Sequence, residues 1–284
     1  MLESSFIHFS GIGPVGEARL WQRGFLNWDD VRERGEADRI ASRGRLDAEE
    51  SRLQLRRRNA AYFHAALPPS QRWRVYDDFM AESAFLDIET TGLSPGESSV
   101  TVVGVLDATG YTAYVRGVNL DEFPEAAQRY RLVVTFNGAA FDVPFLQVEF
   151  ASVARTDVAP LFADAAHLDL RYPLRRIGQA GGLKAIERRL ALGRPDELSL
   201  LDGFDAVRLW RMHCDGEPDA LATLVRYNAE DVASLPALAE YVVDVLARGT
   251  PLARRARPSS CPQIDRASLP FDPGLVEYLT RGRI

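Results

Sequence analysis

Between residues 84 and 136 the chain runs through short apolar stretches of strand length, broken by glycine, serine and proline; beyond residue 141 the pattern turns mostly helical. Residues 84–89 read as a buried strand, followed by the loop Gly92-Leu93-Ser94-Pro95-Gly96. Residues 100–106 predict a second strand, and Thr109-Gly110 turns the chain into a third over 111–115. A helix is expected over 121–130. Residues 132–136 form an apolar run of the kind buried on both faces of a sheet. A helix follows around 141–150, a short fifth strand over 167–170, and helices over 183–192, 204–213 and 220–247, the last interrupted at Pro236. This order predicts an α/β fold, a mixed sheet with helices on its faces.

Ahead of residue 81 the pattern is helical. Gly11-Ile12-Gly13 predicts a tight turn, Pro14 suits a first helical position, and the helix stops at Gly24. Another short helix begins at Trp28, and a longer one spans 47–67 until Pro68-Pro69. From Thr250 onward Arg, Pro and Ser predict a mobile tail. The chain thus divides into a helical segment (1–80), an α/β domain (81–248) and a basic, Pro-containing tail (249–284), with no internal repeat.

Composition narrows the classes. The 284 residues, 46% hydrophobic, suffice for one sizeable domain plus an appendage. With no run of about 18 apolar residues, no membrane span is expected, and the acid-bearing start Met1-Leu2-Glu3 argues against a signal peptide. Cys214 and Cys261 are too few for a disulfide scaffold or a Cys-rich zinc site and suit a reducing, cytoplasmic setting. The net charge of −6 argues against a simple cationic nucleic-acid binder, but its distribution is uneven: +1 over 1–80, +4 over 248–284 and −11 between them. Such a layout suits a carboxylate metal site with separate phosphate contacts, and equally an ordinary acidic surface. Lys184 is the single lysine among 34 cationic residues.

Candidate chemistry lies in that acidic middle. Asp87 and Glu89 are two apart on a strand, so both carboxylates point to one face. A buried carboxylate pair is costly unless a cation is bound. Asp142 closes the segment Asn137-Gly138-Ala139-Ala140-Phe141-Asp142, where a helix begins, and Tyr227 and Asp231 are i and i+4 neighbours on a helix. Each feature has a plainer reading: a strand end in water, a helix cap at Asp142, a capping pair of Asn228 with Asp231. Taken together, four carboxylates from separate segments are hard oxygen ligands suited to Mg²⁺ or Mn²⁺.

In this order the motifs resemble a known family. Phe85-Leu86-Asp87-Ile88-Glu89-Thr90-Thr91-Gly92-Leu93 is similar to the first motif of the DEDD exonucleases, the DnaQ-like branch of the ribonuclease H-like fold. Asn137 to Asp142 resembles the second motif and Tyr227-x-x-x-Asp231 the third in its tyrosine form, DEDDy. His167-Leu168-Asp169-Leu170 and Tyr227-Asn228-x-Glu230-Asp231-Val232 are most similar to the YprB-type domain. The resemblance covers about residues 84–247. It implies two divalent ions, Mg²⁺ or Mn²⁺, held by Asp87, Glu89, Asp142 and Asp231, with Tyr227 orienting or deprotonating the attacking water. It further implies that Thr90, through its backbone, and Leu93, as a wedge, position the 3′ nucleotide, and that Asn137 and Phe141 line the groove. The implied activity is 3′→5′ exonucleolytic hydrolysis of single-stranded DNA or RNA to nucleoside 5′-monophosphates. His167 and Asp169 are expected to be structural, with Asp169 capping a turn. Lys184 is expected either at a phosphate or on a solvated helix face.

The Gly11-Ile12-Gly13 turn resembles a helix-hairpin-helix, whose backbone amides grip phosphates without reading bases; only nine residues precede Ser10, so the first helix of that motif is short or missing. Gly11 and Gly13 with Arg56, Arg57 and Arg58 are therefore candidate contacts to a nucleic-acid backbone. The competing reading is a non-catalytic nucleic-acid-binding adaptor on the same fold.

Overall fold

A computed structural model describes residues 1–151, 161–252 and 262–281. At its centre is a five-stranded mixed sheet in the order β3-β2-β1-β4-β5: β1 (Ser83–Thr90), β2 (Val100–Asp107), β3 (Gly110–Val115), β4 (Leu132–Thr135) and β5 (Ala166–Asp169). β2 runs antiparallel to β1 and β3, while β1, β4 and β5 are mutually parallel. All five expected strands are present, within a residue or two.

Alternation decides what each face carries. Ala84, Leu86 and Ile88 of β1 join Val103 and Val105 of β2 and Val133 of β4 in a cluster on one face. That face is covered by α6 (Phe123–Ala127) and α7 (Asp142–Phe150) through Phe123, Phe145 and Leu146. On the opposite face Phe85, Leu132 and Val134 belong to a larger cluster, and Val102 to a third. Asp87 and Glu89 follow Phe85 on that face, between the two apolar clusters.

The N-terminal segment comprises α1 (Pro14–Gln22), α2 (Trp28–Arg34), α3 (Arg45–Arg56), α4 (Ala60–Ala66) and α5 (Tyr76–Phe79). Its Leu2, Phe6, Trp28, Phe63, Trp73 and Phe79 share one apolar cluster with Phe85, Leu132, Val134 and Val242, so residues 1–80 are built into the core under the sheet. A buried pair reinforces it: Arg74 donates to both carboxylate oxygens of Glu17 at 2.7 and 3.0 Å, and Glu17 also accepts from the amides of Phe6 and Ile7. Breaking one partner of such a pair costs about 3–5 kcal/mol. The single helix expected over 47–67 is two. Arg58 adopts φ +56° and Asn59 caps α4 by accepting from the Tyr62 amide, which turns the chain between them.

The second half adds α8 (Arg171–Arg176), α9 (Leu183–Leu190), α10 (Asp196–Ser199), α11 (Gly203–Cys214), α12 (Ala220–Ala233) and α13 (Leu235–Ala247). The break between the last two falls at Ser234, with Pro236 in the first turn of α13, where its missing N–H is harmless. Where a mobile tail was expected, residues 262–281 carry α14 (Pro273–Thr280), capped by Asp272 and packed through Val276 and Leu279 against the third cluster. Composition pointed to a tail, but two apolar side chains one turn apart suffice to dock a short capped helix. The remaining tail residues, 253–261 and 282–284, lie outside the described residues. Among the described residues, no helix is long and apolar enough to cross a membrane.

Candidate metal centre

Asp87 and Glu89 sit near the carboxyl end of β1, and α12 lays Asp231 across from them. Oxygens of these three carboxylates lie within 4.8 Å of one another. A bulge between Glu89 and Thr90 shifts the register against β2, Glu89 facing Val102 and Thr90 facing Val100. Asp142 opens α7 after β4. It is not the helix cap: Phe141 holds that position, and no side-chain cap bond is made there. Asp142 raises the Asp87 pKa and so stands close, but it is outside the tight group of three.

Asn228 and Asp231 lie inside α12, so they are not a capping pair. Asn228 instead ties the site together. Its Nδ2 donates to Asp87 Oδ2 at 3.1 Å and to Glu89 Oε1 at 3.4 Å, while its Oδ1 accepts from Tyr111 Oη at 2.9 Å. The helix reaches this depth because residue 104, opposite Asp87 on β2, is glycine. A Cβ there would lie 1.6 Å from Asn228 Oδ1. Gly104→Ala is therefore expected to destabilise the fold by about 1–3 kcal/mol or more through overpacking, and to disturb both carboxylates. A thermal melt unchanged by the substitution would refute this close contact.

The electrostatics are those of an acid cluster short of cations. Burial, followed by Asp142, Asp231 and Glu89, pushes the Asp87 pKa well up. Burial and Asp231 do the same for Glu89, partly offset by the Asn228 hydrogen bond and Lys184. Burial raises Asp142 to about 7, with Asp169 and Asp231 adding to the rise. Asp142 Oδ1 is buried with no hydrogen-bond partner among the described residues. Four acids, one with an orphaned buried oxygen, fit a divalent cation. Burial, then Asp231, Glu89 and Asp87, raises the Tyr227 phenol well above its usual range, so at neutral pH it is a hydrogen-bond donor.

These shifts predict a pH dependence. A carboxyl whose folded pKa exceeds its unfolded value binds more protons when folded, so its contribution to stability falls as pH rises between the two. For Asp142 that window runs from 3.8 to about 7. His8 and His64, lowered by burial to about 3 and about 4, act the other way, costing stability as pH drops below 6.5. The acid contribution is thus read as a difference: without metal, Asp142→Asn should gain in Tm relative to the parent as pH climbs through that window. A difference independent of pH would count against the raised Asp142 pKa.

Among the described residues, Arg194 and Lys184 border the site. Arg194, almost fully buried, donates through Nη2 to Asp231 and is clamped by Glu187 at 2.9 and 3.0 Å, while among the described residues its Nη1 has no partner. The sequence reading missed it, because nothing in the loop after α9 marks one arginine among many. Lys184 is neither on a solvated face nor free: its Nζ donates to the Leu201 carbonyl and stands 4.6 Å from the Tyr227 ring centroid.

The remaining candidates fall in two places. Near the carboxylates, Thr90 is buried, with its hydroxyl donating to the Gly92 carbonyl, and Leu93 is 84% exposed. Asn137 adopts φ +69° and its loop is pinned by Asp169, which accepts from the amides of Asn137, Ala139 and Arg171 at 2.7, 3.0 and 3.0 Å. Phe141 packs against Phe145 in a tilted ring pair, centroids 4.8 Å apart. In the N-terminal segment, Gly11 and Gly13 are exposed, and among the described residues before them the helical structure is a 3-10 turn (Leu2–Ser4). Arg56 and Arg57 face solvent, whereas Arg58 turns inward to Glu82 and the Asp78 carbonyl.

The sequence model of the RNase_H superfamily matches residues 84–243, more than half of the chain. Among curated proteins, none matches. Among solved structures, the family B DNA polymerase from the hyperthermophilic archaeon Pyrobaculum calidifontis aligns with a TM-score of 0.47 and 20% identity, over 60% of this chain and 26% of that one. The chain thus spans about a quarter of that polymerase's length.

Proposed function

The chain belongs to the RNase_H superfamily through residues 84–243, and from that premise we propose that it is a metal-dependent 3′→5′ exonuclease of the DEDDy type. It hydrolyses single-stranded nucleic acid to nucleoside 5′-monophosphates. The observation that carries this reading is the convergence of Asp87, Glu89 and Asp231 within 4.8 Å in a largely buried site. Asp87, Glu89, Asp142 and Asp231 would hold two divalent ions, Mg²⁺ or Mn²⁺, which when bound supply charge stabilisation for the attacking and leaving oxygens of a phosphodiester.

The chain's own groups do the rest. Asn228 fixes Asp87 and Glu89 in one orientation. Tyr227, held protonated, orients the attacking water by a hydrogen bond to its hydroxyl, with no proton passed to the water. Exposed Leu93 wedges against the terminal base, while the Thr90 backbone, Asn137 and Phe141 border the groove. Arg194 keeps Asp231 turned toward the other acids and adds a fixed positive charge beside a polyanionic substrate.

The test uses 5′-labelled single-stranded DNA and RNA of equal sequence, with Mg²⁺, Mn²⁺ or EDTA, resolved by product length. A ladder receding from the 3′ end in metal alone supports the assignment. Strands that are bound but left intact would replace it with the adaptor reading.

Residues 1–80 are proposed to add backbone contacts through Gly11, Gly13, Arg56 and Arg57. Because this segment shares the core, the test is substitution rather than deletion. Arg56→Glu with Arg57→Glu should weaken strand binding without base preference and reduce the salt slope by about 1–2. An unchanged slope would remove both arginines from the interface.

A further inference from the structure

A cavity of about 530 Å³ opens beside the loop from Asn137 to Ala139, between the 3-10 segment Pro69–Val75 on one side and β5 with α8 on the other. We propose that this cleft binds an unpaired nucleotide of the strand, at a position upstream of the scissile bond; this rests on the nuclease reading of the metal centre.

Three observations converge. The cleft adjoins the candidate catalytic loop: Ala139 and Asp169 line it, and Asp169 is the side chain that pins the loop from Asn137 to Ala139. A strand held at Asp142 therefore passes its mouth. Its walls offer aromatic surface: Tyr172 on α8 is 60% exposed, an unusual position for a tyrosine with no partner ring among the described residues, and Trp73 forms the floor. Two guanidiniums outnumber the one lining carboxylate, Asp169, which is engaged by three backbone amides. Arg72 and Arg176 line the cleft, and among the described residues neither has a carboxylate within ion-pair distance. Each is held to the wall by one bond to a carbonyl, Arg72 Nε to His64 at 3.1 Å and Arg176 Nη1 to Ser70 at 2.8 Å, which leaves further donors on each guanidinium.

Aromatic surface flanked by unpaired guanidiniums, in a cleft of this size, suits a base with its phosphates. A free mononucleotide has the same chemistry as one unit of a strand, so length dependence separates the two. The cleft also gives residues 69–73 a reason to be built against the sheet's edge: they supply one wall.

The experiment measures anisotropy of 3′-labelled single strands from two to about twelve nucleotides, with the full-length protein in EDTA so that the probe is not consumed. Tyr172→Ala should weaken binding of the longer strands about 10-fold or more, with little effect on the dinucleotide, and Tyr172→Phe should restore it, since stacking needs the ring and not the hydroxyl. Arg176→Ala should weaken the same strands and lower the salt slope by about 1. Metal-dependent shortening by the unsubstituted protein is recorded separately. If the strands are cut but Tyr172→Ala binds every length like the parent, the cleft proposal fails and the nuclease reading stands. If nothing is cut but the Tyr172 effect holds, the nuclease reading fails while the cleft binds nucleic acid. If a mononucleotide competes as well as a long strand, the cleft takes free nucleotide, and the strand proposal is overturned.

Discussion

Asp87→Ala is expected to abolish metal-dependent cleavage while leaving the Tm of the metal-free protein unchanged or higher. The loss follows from geometry. Asp87 is one of three acids whose oxygens meet within 4.8 Å, and the pair it forms with Glu89 is fixed by a single amide, Asn228 Nδ2. Removing it leaves too few oxygens to hold a cation in place. The stability side follows from electrostatics. Burial and the neighbouring carboxylates of Asp142, Asp231 and Glu89 all disfavour the ionised form of Asp87, so without metal its removal relieves repulsion. Added Mn²⁺ should raise the Tm of the parent and do so far less for the variant. Full cleavage by a cleanly purified, metal-replete Asp87→Ala protein would sink the metal-centre assignment.

Asp231→Ala should likewise abolish turnover, whereas Tyr227→Phe, one helical turn away, should slow it and leave measurable cleavage. Asp231 has two duties, one in the acid cluster and one as a partner of Arg194. Its loss removes a ligand and leaves the Arg194 guanidinium, already short of a partner at Nη1, held by Glu187 alone. Tyr227 keeps its ring under Lys184 when changed to Phe and loses only the hydroxyl. Positioning and proton transfer are typically worth ~10²–10⁴-fold, and with metal activating the nucleophile the lower part of that range is expected. Single-turnover rates at saturating metal make the comparison. A Tyr227→Phe rate equal to the parent across about pH 6–9 would leave the residue a packing aromatic and take it out of the mechanism.

The local pattern of the chain determined the strands, the face shared by Asp87 and Glu89, and the helical proximity of Tyr227 and Asp231. Each follows from a repeat of two or 3.6 residues and needs no knowledge of the rest of the fold. Local pattern also misled where a long-range contact decided the outcome. Arg58, grouped by sequence with Arg56 and Arg57, turns inward because Glu82, 24 residues on, accepts its guanidinium. The expected tail gives way to α14 because Val276 and Leu279 find an apolar cluster supplied by α11 and α12.

Only the tertiary structure decided how the acids are held. Asn228 bridges two carboxylates about 140 positions earlier in the chain because Gly104, on another strand, leaves room for it. Arg194 reaches Asp231 across 37 positions from a loop with no distinguishing spacing. The cleft exists because residues 69–73 were folded against α8 about a hundred positions later. Ligand identity is written in residue type and short-range spacing, and so is legible in the sequence. The supports are set by which distant backbones approach closely enough for a side chain to bridge them, and in a packed interior a single Cβ at Gly104 would be enough to prevent it.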